Sequence, residues 1–158
     1  MSTSISNLQT LTVLLERAES ERDQALAYLQ EVRRQAEAAQ AQHEQLGQYR
    51  NEYQQRWTQQ FTRGSTVDIL GCYQSFGLRL DQAIEQQGLV ARHSDARVER
   101  AQAALRELEV RVASIRKLIE RRRAEMLRSA ERREQKLTDE QATRAALAQQ
   151  NPFARLSA

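Results

Sequence analysis

Apolar residues recur with a seven-residue period through the first sixty positions of the chain. With a at residues 8, 15, 22, 29, 36, 43, 50 and 57 and d at 11, 18, 25, 32, 39, 46, 53 and 60, twelve of sixteen positions are apolar, from Leu8, Leu11 and Leu15 through Leu29, Val32 and Leu46 to Tyr53 and Trp57. Arg22, His43, Arg50 and Gln60 are the exceptions. Such a stripe predicts one helix over about residues 8–60 that must bury its seam against another helix. The signal stops at "FTRGSTVDIL", where Gly64 breaks the helix and Ser65 to Asp68 carry the hydroxyl-then-acid pattern of a helix start. This predicts a turn near 61–66. A second seam follows, with a at Ile84, Ala91, Val98, Leu105, Val112, Ile119 and Met126 all apolar, and four d positions apolar at Leu80, Ala101, Leu108 and Ile115. It predicts helix two over about 67–145 and a flexible tail over 146–158. Gly71 and Gly77 soften the first turns of that helix, each by roughly 1 kcal/mol relative to Ala.

Two long helices joined by a short connection run antiparallel, so an a layer of one faces a d layer of the other. The fold-back at Gly64-Ser65 selects the register in which facing residue numbers add to about 130. Leu11 is then expected opposite Ile119, Leu15 opposite Ile115, Ala25 opposite Leu105, Val32 opposite Val98 and Leu46 opposite Ile84. His43 against Gln87 and Arg50 against Leu80 make the tip half polar and looser. The expected fold is all-α, an antiparallel coiled-coil hairpin forming one domain over 1–158 and monomeric in isolation.

Composition narrows the function classes. Charged residues make up 28% of the chain and its mean hydropathy is −0.76, too polar for a packed globule. Ala, Glu, Gln, Arg and Leu dominate, as in long helices, and the periodicity of the apolar residues argues against disorder. No apolar run is long enough to span a bilayer, and "MSTSISNLQTLTVLLER" lacks a basic start and cleavage site, so a cytoplasmic protein is expected. Cys72, His43 and His93 are too few and too scattered for a disulfide or a typical zinc site; Cys72 reads as a small apolar contact. No metal or cofactor is expected. An enzyme is disfavoured, because a two-stranded coil offers no water-excluding pocket and the chain carries no nucleophile-base or phosphate-loop motif.

The charge is uneven. Between Arg111 and Lys136, ten Lys or Arg stand against four Glu, an excess of six positive charges on a chain whose net charge is +3. In the expected register helix one ends near residue 8 opposite Arg122, so helix two beyond that point overhangs as a basic single helix exposing Met126, Leu127 and Ala130. A solvated charged face is the plain reading of such a run. Nucleic-acid binding is disfavoured by the interspersed Glu.

"LGQYRNEYQQRW" places Tyr49, Tyr53 and Trp57 four residues apart in a chain with few aromatics. Tyr53 and Trp57 fall on the seam and Tyr49 beside it. The stripe Gln42, Leu46, Tyr49, Tyr53 matches in spacing the stripe Phe76, Leu80, Ala83, Gln87 on helix two, and the register lays the two side by side. Two readings remain open: the rings widen the core at the tip, or they form a partner-docking patch.

"LGQYRNEYQQRW", "CYQSFGLRLDQAIEQQ" and "RREQKLTDEQATRAAL" together resemble the FliJ family, the small coiled-coil component of the bacterial flagellar type III export apparatus, over nearly the whole chain. Gln141 stands where that family usually has Phe after Asp139-Glu140. The resemblance implies an antiparallel two-helix stalk similar to the rotor stalk of rotary ATPases. It further implies that the paired chain ends enter the ring of the export ATPase hexamer, that a surface nearer the tip contacts the export gate membrane protein, and that export chaperones are bound. Carried over residue by residue, Gln42, Leu46, Tyr49, Tyr53, Phe76, Leu80, Ala83 and Gln87 match the gate-contacting surface. For the ATPase end, the basic residues Arg121, Arg122, Arg123, Arg132 and Arg133 are the candidates. The implied location is cytoplasmic and peripheral to the inner membrane at the flagellar base, through protein partners. Runner-up readings are an injectisome stalk, a basic coiled coil that binds nucleic acid, and a structural spacer.

Overall fold

In a computed structural model, residues 2–150 are described. They form two long helices that pack against each other as an antiparallel hairpin: α1 (Ser2–Thr62) and α2 (Val67–Gln150). The connection occupies residues 63–66, tighter than the expected 61–66, because the last turn of α1 closes with short-range bonds. Arg63 N donates to Gln60 O at 3.1 Å and Gly64 N to Phe61 O at 3.2 Å. Gly64 then takes φ 92°, a left-handed conformation that a side chain would resist. The first bond of α2 runs from Leu70 N to Thr66 O at 3.2 Å, one residue later than Ser65 suggests.

Both helices extend past their expected ends. α1 begins at Ser2, not near residue 8, since adding weak helix formers to an existing helix is far easier than nucleating one. Residues 146–150, expected as tail, continue α2, because "AALAQQ" consists of strong helix formers. The remainder of the expected flexible tail, 151–158, lies outside the described residues.

The described chain falls into two compact units, residues 19–110 and residues 2–18 with 111–150. The first holds the tightest packing. Leu29 (2% exposed), Val32 (1%), Ala101 and Leu105 form a cluster with Ala25 and Val98 against it. The cluster joins Ala25, Leu29 and Val32 of α1 with Val98, Ala101 and Leu105 of α2, the residues that the register with facing numbers adding to about 130 sets opposite one another. Burial of each large aliphatic here contributes roughly 1.5–3 kcal/mol. Ala36, Ala39, Leu80 and Ala91 continue the buried seam, and no described polar or charged residue is fully buried.

In the second unit, Ala18, Val112 and Ile119 are buried, while Leu8, Leu11, Leu15 and Ile115 are half-buried. The early start of α1 changes the expected overhang. Ser4, Ile5 and Asn7 line a cavity of about 330 Å³ together with Arg122, Glu125, Met126, Ser129, Ala130 and Arg133, so Met126 and Ala130 do not stand on a bare helix. Residues 131–150 are exposed on every face.

Candidate partner-docking surfaces

The tip surface is built on the seam. On α1, the i, i+4 spacing of Tyr49, Tyr53, Trp57 and Phe61 stacks four rings along one face. From α2, Tyr73 and Phe76 meet them. Tyr53 sits at the centre, with ring centroids 4.8 Å from Phe76, 5.3 Å from Tyr73, 6.0 Å from Trp57 and 6.4 Å from Tyr49. Tyr73 closes the far side, 5.6 Å from Trp57 and 5.4 Å from Phe61. Desolvation among these rings pushes the Tyr53 phenol pKa above its ordinary value, with smaller contributions from the neighbouring Tyr73 and Tyr49.

Inner and outer rings differ in exposure. Tyr53, Trp57, Phe61 and Tyr73 are half-buried against one another, whereas Tyr49 is 47% and Phe76 40% exposed. Of the eight candidate residues, Tyr49, Tyr53 and Phe76 meet through their rings, and Gln42 and Gln87 through a hydrogen bond. Gln87 Nε2 donates to Gln42 Oε1 at 3.2 Å and to Ala39 O at 3.3 Å, tying the two stripes across the hairpin. Leu46, Ala83 and Gln87 are half-buried, Gln42 is exposed, and Leu80 is buried beneath them. The outward surface therefore consists of Tyr49 and Phe76 with a polar amide edge.

Two polar layers depart from the expected pairings. Arg50 lies over Gly77 and reaches Asp81, its Nε donating to Oδ1 at 2.8 Å, while its buried Nη1 has no partner. Asp81 and, secondarily, Tyr73 hold the Arg50 proton more firmly than usual. His43 enters a notch at Gly88, where a Cβ would come 3.2 Å from its Nε2. The glycines make room for the large polar side chains opposite. Gly77 in fact occupies an a position and Tyr73 a d position of the second seam, one heptad before Ile84 and Leu80. A glycine at a interrupts the apolar count, and Tyr73 is missed for that reason; carrying the heptad back through it would have found the ring.

At the other surface, Arg121, Arg122, Arg123, Arg132 and Arg133 are all exposed. Arg122 Nη1 pairs with Glu125 Oε2 at 3.5 Å within α2, an exposed pair of small energetic weight. Arg122 and Arg133 share the 330 Å³ cavity, whereas Arg121, Arg123 and Arg132 do not line it. Among the described residues no group of three His, Cys, Asp or Glu is arranged to hold a metal ion, and no helix is long and apolar enough to cross a membrane.

Comparison with known proteins gives one consistent result. The family model described as Flagellar FliJ protein matches residues 7–151. A Flagellar FliJ protein from Salmonella typhi is 34% identical over 137 residues, covering 87% of this chain and 93% of that protein. No solved structure matches.

Proposed function

The chain belongs to the FliJ family and is thus a component of the flagellar export apparatus, and from that premise we propose that it acts there as a stalk bridging two partners. One surface, the aromatic face of Tyr49, Tyr53 and Phe76 with Gln42, Leu46, Leu80, Ala83 and Gln87, docks on the export gate membrane protein. The basic residues Arg121, Arg122, Arg123, Arg132 and Arg133 approach acidic groups on the export ATPase ring, and export chaperones are handled by the same subunit. The protein works without a cofactor, at the cytoplasmic side of the inner membrane and held there by its protein partners.

The observation that carries this reading is the split within the aromatic cluster. Half-buried rings suffice to hold the tip, yet Tyr49 and Phe76 remain exposed over them, and exposed aromatics on a rigid base are the residue type that concentrates interface energy. Exposed basic side chains suit steering toward an acidic partner.

The test uses the full chain with the purified ATPase and the soluble domain of the gate protein from the same flagellar system. Reversing Arg121, Arg122 and Arg123 to Glu is expected to lower ATPase binding, make the residual binding less salt-sensitive and leave gate binding intact. Loss of gate binding with ATPase binding unchanged would show that the two surfaces are assigned the wrong way round.

A further inference from the structure

Three heptads from Tyr49, on the same flank of α1, stands another aromatic that the gate surface does not use. Tyr28 is 52% exposed, and among the described residues no other ring touches it. It borders a groove of about 280 Å³ between the two helices, lined by Ala25, Tyr28, Arg97, Arg100, Ala101 and Ala104. The groove arises because the seam here is floored by alanines: Ala101 is 5% exposed, and Ala25 and Ala104 add only methyl groups beside it. In a two-stranded coil, small floor residues leave the flank between the helices unfilled.

Both charged residues that line the groove are basic, and the nearby Glu31 carboxylate is engaged by Arg34 and Gln35. Arg97 Nη1 donates to the amide oxygen of Gln35 at 3.2 Å, not to a carboxylate. Arg100, one turn further along α2, is exposed and makes no ion pair or hydrogen bond to any described residue. Elsewhere along the helices, Arg22, Arg34, Arg50 and Arg122 each pair with a carboxylate. Two guanidiniums three residues apart on one helix face match carboxylates spaced i, i+3 or i, i+4 on a second helix lying along the groove.

We propose that the Tyr28 groove is a separate docking site for an acidic amphipathic helix of another protein. Its apolar residues pack over Ala101 and Ala104 beside the Tyr28 ring, and its carboxylates reach Arg97 and Arg100. The site lies roughly 30 Å along α1 from Tyr49, at 1.5 Å per residue, so both can be occupied at once. It stands independently of the gate assignment, since it shares no residue with that surface.

The experiment uses the full chain and two synthetic amphipathic helical peptides with the same leucine pattern, one flanked by Glu and the other by Lys. Binding is measured by fluorescence anisotropy, and a photoreactive benzoylphenylalanine at position 28 reports location. The acidic peptide is expected to bind at least about tenfold more tightly than the basic one. Tyr28→Ala should weaken it several-fold, Arg97→Glu with Arg100→Glu should invert the preference, and crosslinks from position 28 should reach the acidic peptide. These side chains lie at the surface, so helicity serves as the folding control. Equal binding of both peptides, insensitivity to the double reversal, absence of binding, or crosslinks from position 28 only to a second copy of the chain would each overturn the proposal.

Discussion

Around Leu29 and Val32 the hairpin is held by small aliphatic layers, whereas around Tyr53 it is held by rings, a salt bridge and glycine notches. The aliphatic stretch buries nearly all of what it uses: Val32 is 1% exposed and its neighbours in the cluster 8% or less. The aromatic stretch leaves large side chains half open and keeps one Arg50 nitrogen without a partner. All five glycines, Gly47, Gly64, Gly71, Gly77 and Gly88, fall in or beside the aromatic stretch and none in the aliphatic one. A two-helix hairpin has no third layer to cover it, so a surface that presents large rings must be stabilised from below by those same rings. Stability and presentation are thereby separated along one seam.

The largest effect should come from the aliphatic side. Leu29→Ala deletes a core side chain in a cluster with few alternatives for repacking, and should lower unfolding free energy by about 2–3 kcal/mol in urea denaturation. A change under roughly 0.5 kcal/mol would mean that the aliphatic layers do not carry the fold.

A smaller loss is expected at the tip. Asp81→Asn leaves Arg50 over Gly77 with an amide in place of its carboxylate partner, and should destabilise by about 1 kcal/mol, less in high salt. If salt has no influence on the difference, the pair is structural in shape alone. In the opposite direction, Gly71→Ala has open space for the added Cβ and should stabilise by up to about 1 kcal/mol. Gly88→Ala should gain less, because its methyl must displace His43. Equal gains at both positions would show that the His43 notch is not tight.

The smallest effect is a pH response. The folded tip raises the Tyr53 pKa, so the folded state holds that proton more firmly than the unfolded chain. Its contribution is fully present below the ordinary phenol value of about 10 and is lost as pH rises through the higher folded value. Thermal melts above pH 10 should therefore show a falling Tm that Tyr53→Phe reduces. An identical decline in that variant would assign the loss to other groups.

These contrasts explain what could be read from the chain beforehand. The seam was legible because Leu29, Val32, Val98 and Leu105 are apolar at heptad spacing and nothing competes with them, and the fold-back at Gly64 then set the register. The tip was legible only in part. Tyr49, Tyr53 and Phe76 stood out as stripes, but Gly77 read as a weak helix residue when its role is to admit Arg50, and it hid Tyr73 at the next seam position. The early start of α1 was illegible for another reason: Ser2, Thr3 and Ser4 have poor intrinsic propensity, and a helix end extends by propagation that local pattern does not report. At the basic end, charge indicated which residues are exposed, while the cavity shared by Ile5, Met126 and Arg133 follows from that extension.

The most direct test of the proposed separation between fold and docking is the Tyr49→Ala, Phe76→Ala double variant of the full chain, measured for affinity to the soluble domain of the export gate protein, the partner proposed for this surface, and for helicity in parallel. Both side chains are exposed over rings that remain, so gate affinity should fall at least about tenfold, roughly 1.4 kcal/mol, with helical ellipticity nearly unchanged. Retained gate affinity accompanied by a loss of helicity would contradict the account, because the outer rings would then belong to the core of the tip and not to a surface it presents.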